Sequence, residues 1–157
     1  MQIVREFFEL NRFHVLTHWH HVDLPRVAEP GSLLFVEHTN PETGPEDRFV
    51  LTPEELRFLH RAVVEVRAWH AERFYASVVE ANPVLGHVNE PETRALAQSV
   101  FGDPDFTTIL VISELPSSTE PRERAVQLLR NLGLGHILEF NTILRDMIER
   151  ISAHGNY

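Results

Sequence analysis

Glu65 and Arg67 stand two residues apart in the run Val63-Val64-Glu65-Val66-Arg67-Ala68-Trp69-His70. Side chains alternate along a strand with period two, so a strand here projects the carboxylate and the guanidinium from one face. Such a pair can hold a divalent cation beside a phosphate. Carboxylate oxygens suit a hard cation such as magnesium. The bound metal turns water into a nucleophile and stabilises the charge that develops in the displacement. The cation beside it is normally a lysine in that chemistry, and this chain has none. Arg67 keeps a clamp for phosphate but cannot take up a proton near neutral pH.

A second constellation is the histidine-rich stretch His14-Val15-Leu16-Thr17-His18-Trp19-His20-His21-Val22-Asp23. On a strand His18 and His20 face the same way, and with His14 as third ligand they could share a zinc ion. An exposed strand face dressed with polar aromatics accounts for the same residues. Gly133-Leu134-Gly135-His136 lacks the remainder of a phosphate-binding loop. Ser113, Ser117 and Ser118 have no Gly-x-Ser-x-Gly elbow around them. The arginines from Arg122 to Arg130 alternate with Glu120 and Glu123 in the manner of a solvated helix face.

Composition narrows the classes. A chain of 157 residues fits one domain, spanning 1–157. Its apolar fraction of 43% and charged fraction of 24% are ordinary globular values. The absence of cysteine removes disulfides, thiolate metal sites and cysteine nucleophiles. No apolar run reaches the roughly 20 residues that span a bilayer, and no leader-like segment opens the chain. The expectation is a cytoplasmic protein with no membrane partner. A net charge of −9 disfavours nucleic acid as a generic partner, because attraction to phosphate needs a positive surface.

The pattern along the chain places these groups. Ile3, Val4, Phe7, Phe8 and Leu10 predict a first helix, closed by Asn11-Arg12. Phe13 to His21 alternates as a strand near a sheet edge, and 32–37 reads as a second strand. Thr52-Pro53-Glu54-Glu55 predicts a capped helix start. The β-branched cluster at 63–66 predicts that this helix breaks near Arg61 into a third strand, although one long helix over 53–80 fits the same apolar spacing. A helix from Asn89 to Gly102, a strand at 109–112, a helix opened at Ser118 and stopped at Gly133, a strand at 137–140 and a helix over 142–151 complete the chain. Strands that alternate with helices in this way run parallel, through right-handed crossovers. The predicted class is α/β, with a mixed central sheet flanked by helices.

The order α-β-β-β-α-β-α-β-α, with Glu65-Val66-Arg67 on the third strand, resembles the restriction-endonuclease-like, or PD-(D/E)xK, superfamily, from about Val4 to Ile151. The stretch Arg61 to His70 resembles that of uncharacterised bacterial members with a degenerate motif. The resemblance implies a restriction-endonuclease-like core and a metal-dependent endonuclease chemistry using Mg or Mn. It implies Glu65 as ligand and catalytic residue, Arg67 in place of the lysine, and Glu6 or Glu9 on the first helix as an auxiliary carboxylate. The second-strand aspartate falls at Ser32, a neutral and weak ligand. Asp23, Glu29 or Glu37 would have to replace it.

The leading functional expectation is therefore a nuclease-derived domain with a degraded divalent-metal site, cleaving or binding nucleic acid weakly. Two alternatives stand beside it. One is a non-catalytic, homodimeric interaction domain using exposed apolar surface near Trp19, Trp69 and Phe74. The other is a zinc protein built on His14, His18 and His20, a stretch that partly resembles the metallo-β-lactamase Thr-His-x-His signature.

Overall fold

The computed structural model describes residues 2–16, 32–44, 48–67 and 73–155. Five strands form one mixed sheet, with helices on both faces. In chain order the elements are α1 (Gln2–Leu10), β1 (Phe13–Leu16), β2 (Ser32–His38), β3 (Arg61–Arg67), α2 (Ala76–Ala81), α3 (Pro91–Phe101), β4 (Thr107–Ile112), α4 (Thr119–Asn131), β5 (His136–Glu139) and α5 (Phe140–Gly155). Single 3-10 segments, Pro53–Phe58 and Pro83–Asn89, precede β3 and α3. The strands lie side by side in chain order. β1, β2 and β3 are an antiparallel meander, and β4 and β5 run parallel to β3. A parallel neighbour cannot be reached by a hairpin, so β3 passes to β4 through α2 and α3, and β4 to β5 through α4.

The alternation of β3 divides the interior into two layers. Ala62 and Val64 face α1 and α5, packing with Val4, Phe7, Phe8, Val36, Val111 and Ile143. Val63 belongs to the other face, with Phe35, Leu110, Ile112, Phe74, Leu85 and Leu129. Glu65 and Arg67 share the register of Val63 and therefore project to that second face. β5 does not leave a bare edge. The amide of Leu51 donates to the Ile137 carbonyl at 2.9 Å, and the amide of Ile137 to the Phe49 carbonyl at 2.8 Å. His136, buried, adds a bond from Nδ1 to the Arg48 carbonyl at 2.8 Å. Unpaired edge groups are a template for aggregation, and this short segment covers them.

Most predicted elements are present, with differences of physical interest. The Thr52 start opens a 3-10 segment, not an α-helix. The Thr52 hydroxyl bonds Oε1 of Glu55 at 2.7 Å and makes no bond to a backbone amide, so the reciprocal capping box does not form. Leu59 is extended, and the chain enters β3 two residues later, as the β-branched cluster predicts. α2 and the second 3-10 segment were not anticipated. The predicted strand over Phe13 to His21 is seen as β1 up to Leu16, and the rest lies outside the described residues. Phe74, expected as exposed contact surface, is wholly buried in the second layer. Trp19 and Trp69 lie outside the described residues. No described helix is long and apolar enough to cross a membrane.

Candidate functional site

Glu65 sits in the middle of β3 between Leu33 of β2 and Leu110 of β4. It is therefore on an interior strand, under the second helical layer. Its relative exposure is 3% and that of Arg67 is 4%. The pair is neither an open metal site nor a solvated surface pair. Both Nε and Nη2 of Arg67 donate to one oxygen, Oε1 of Glu65, at 3.2 and 3.0 Å. The second oxygen, Oε2, is buried and has no hydrogen-bond partner among the described residues.

The 3-10 turn Pro83–Asn89 packs on β3 and β4 on the Glu65 side. It brings His87 and Glu90, whose charges both act on Glu65. Nε2 of His87 lies 3.5 Å from Glu90 Oε1. Nδ1 of His87 is a second buried atom with no hydrogen-bond partner among the described residues. The His87 carbonyl accepts the Thr93 hydroxyl at 3.1 Å and the Glu90 amide at 3.1 Å, fixing the turn onto the start of α3. Sequence reasoning missed His87 and Glu90. Their spacing of three before Pro91, at a helix entry, was the one available signal.

The Glu65 carboxyl is raised above the ordinary glutamate value of 4.5. Burial is the largest cause; it outweighs the Arg67 charge and hydrogen bonds, and the smaller effect of His87. A carboxyl raised in the folded state holds its proton more tightly there than in the unfolded chain. Its contribution to stability is therefore fully present below the unfolded value and is lost as pH rises through the folded one. Glu65→Gln removes this titration. The stability of the wild type relative to Glu65→Gln is expected to fall as pH rises across that window, then level off. Urea melts of both proteins between about pH 4 and pH 8 check the sign. A relative stability that rises with pH would mean that Arg67, not burial, governs Glu65.

The other predicted ligands are not brought to Glu65. Glu6 and Glu9 are exposed on α1, which packs on the opposite face of the sheet. Glu6 accepts from Gln2 at 3.0 Å, and Glu9 pairs with Arg5 at 2.9 Å. The Ser32 backbone pairs with Val66, so its register position belongs to the Val64 face and not to the Glu65 face. Glu37 does lie on the Glu65 side, but it holds Arg61 at 2.7 Å, four register positions away. Asp23 and Glu29 lie outside the described residues.

Magnesium or manganese would need several hard oxygens around one point. Here one carboxylate faces a guanidinium 3.0 Å away, while Glu6, Glu9 and the Ser32 register position belong to the opposite face and Glu37 is held by Arg61. These residues do not fit a divalent cation. Among the described residues no group of three or more His, Asp or Glu side chains could hold a metal. His14 is exposed on β1, while His18 and His20 lie outside the described residues.

A second polar cluster was not anticipated at all. Glu139, at the C-terminal end of β5, is 9% exposed. Its Oε2 accepts the amide of Leu115 at 2.9 Å, and its Oε1 accepts from Arg122 at 3.2 Å. Arg122 is thus not merely part of a solvated face. Nearby, Glu114 pairs with Arg73 at 3.1 Å and accepts from Asn141 at 3.0 Å, and Arg73 donates to Ser117 at 2.8 Å. The acceptors here are occupied, and the cluster ties the ends of β4 and β5 to α4 and to the segment before α2.

No family model, no curated protein and no solved structure matches this chain.

Proposed function

We propose that the chain is a non-catalytic domain of restriction-endonuclease-like ancestry, in which the Glu-x-Arg pair of the third strand has become part of the interior and the body serves as an interaction module. One observation carries the reading: Glu65 and Arg67 are buried against each other under the second helical layer, at 3% and 4% exposure. A phosphodiester cannot reach a carboxylate so placed, and among the described residues no group of three or more His, Asp or Glu side chains could hold a metal there. The meander followed by two parallel strands, with Glu65 on the third, supports the ancestry. The Ser32 position and the exposed α1 carboxylates support the loss of chemistry. The net charge of −9 adds to the case against a nucleic-acid role.

The test is an incubation of the purified protein with single- and double-stranded DNA and RNA, in Mg²⁺, in Mn²⁺ and in chelator. The expected outcome is no metal-dependent cleavage, and no difference between wild type and Glu65→Gln. Cleavage in Mn²⁺ that disappears in Glu65→Gln would restore the nuclease reading.

A further inference from the structure

The entry to β1, the exit of β2 and the entry to β3 meet at one buried histidine. His38, the last residue of β2, is 6% exposed and pairs in register with Phe13 of β1. It shares the alternation of Leu34 and Val36 and so lies on the α1 side of the sheet. The Phe13 ring meets it edge-on at 4.8 Å. The amide of Asn40 donates to its Nδ1 at 3.0 Å. A backbone amide can only donate, so Nδ1 carries no proton and the ring is neutral, protonated on Nε2 alone.

Backbone bonds close the same joint. The His38 amide donates to the His60 carbonyl at 2.7 Å, and the Thr39 amide to the Arg12 carbonyl at 2.9 Å. Arg12 turns the chain from α1 into β1 at a φ of 69°, a left-handed conformation that costs a residue with a β-carbon. The Thr39 bond therefore helps to hold a strained turn. Burial pushes His38 below the ordinary histidine value of 6.5, Arg12 and His60 push the same way, and Glu42 pushes back. The other charges around the joint are paired elsewhere. Glu9 of α1 is held by Arg5 at 2.9 Å, Glu37 faces the other side of the sheet and holds Arg61 at 2.7 Å, and Asp146 of α5 is held by Arg150 at 2.9 Å.

We infer that His38 is an acid-sensitive latch: as a neutral ring it holds the chain leaving β2 to the turn between α1 and β1, and its protonation releases that joint. The added proton sits on Nδ1, where the Asn40 amide already points, so two donors meet and the bond is lost. It also places a second cation beside Arg12, whose carbonyl holds Thr39. The loop keeps its far anchor, because the Glu42 amide donates to the Arg57 carbonyl at 2.8 Å, so the release is local. A histidine held below its unfolded value contributes stability that is fully present above pH 6.5 and is lost as pH falls toward the folded value. That sign is opposite to the sign for Glu65. The latch does not depend on the reading of the domain as an interaction module.

The test is NMR on the full chain from about pH 7.5 to about pH 5, following the ring nitrogens of His38 and the hydrogen-exchange protection of Thr39, Asn40 and Glu42. At neutral pH Nδ1 is expected to be bare. As the ring takes its proton, below pH 6.5, protection at Thr39 and Asn40 falls by about tenfold or more while Glu42 keeps its own. Arg12→Asn removes the charge, tolerates the left-handed turn and raises the pH of release. Glu42→Gln lowers it. His38→Asn keeps an acceptor near Nδ1 without a titration, and protection at Thr39 and Asn40 no longer changes with pH. Should that variant fail to fold, the Arg12 and Glu42 variants still decide. A His38 ring that titrates at or above 6.5, a proton on Nδ1 at neutral pH, or protection at Asn40 indifferent to the titration overturns the inference. So does a loss shared by every amide at once, which would make His38 a group of global stability and not a latch.

Discussion

Arg67→Leu is expected to lower the unfolding free energy by about 3–5 kcal/mol at pH 7, the range for removing one partner of a buried ion pair. The cause is less the lost attraction than the charge left behind. Glu65 is 3% exposed and already has one oxygen without a hydrogen-bond partner. Without Arg67 the other oxygen also loses both guanidinium bonds. The direction of the pH dependence follows. Arg67 lowers the Glu65 carboxyl and burial raises it. Removing Arg67 leaves burial less opposed, so the carboxyl rises further. The variant's deficit should shrink as the solution is acidified and Glu65 becomes neutral inside the fold. Denaturant melts of wild type and variant at neutral and mildly acidic pH measure both the loss and its recovery. A loss independent of pH would place the effect in packing alone.

Phe8→Ala is expected to cost a similar amount, about 3–5 kcal/mol, which is a large share of the stability of a domain this size. Phe8 is wholly buried between α1 and the sheet. Its ring meets Phe7 edge-on at 5.4 Å and Phe13 edge-on at 5.3 Å. Truncation leaves a cavity at the joint of α1 and β1 and removes two aromatic contacts. Glu9, the neighbouring residue, points outward, so Glu9→Gln and Glu6→Gln should leave the melting curve unchanged. Thermal and urea unfolding of the three variants checks the contrast. A large loss on Glu6→Gln or Glu9→Gln would mean that these carboxylates do more than sit on the surface of α1.

That contrast shows what the sequence makes legible. The α1 stripe is local, and Val4, Phe7 and Phe8 are buried where the spacing puts them. Gly102 and Gly133 adopt positive φ at the ends of α3 and α4, as helix stops should. The β-branched cluster does turn the chain into β3. Burial of a polar strand face is not local. Whether Glu65 meets water depends on distant segments, among them the turn at Pro83–Asn89 some twenty residues on, which packs on β3 and β4. The face of Ser32 depends on a register, and one residue of slip exchanges the faces. Glu139 and Arg122 meet across a β-α crossover that no short window spans. The apolar stripe of α5 fails in the opposite sense. Its periodicity is legible, but periodicity does not say that the core needs only Ile143 and its neighbours and leaves Leu144, Ile148 and Ile151 outside.

The most direct test of the central claim, that Glu65 and Arg67 serve each other inside the fold, is a double-mutant cycle on stability at neutral pH with Glu65→Leu, Arg67→Leu and the two together. Arg67→Leu leaves the buried Glu65 carboxylate without its guanidinium and Glu65→Leu takes the carboxylate from Arg67, whereas the double change replaces the pair by apolar groups of similar size, which buried ion pairs often tolerate with little loss. The double variant should therefore lie close to wild type and well above either single variant. A double variant that loses the sum of the two single losses would contradict the claim and show that the two groups act through other partners.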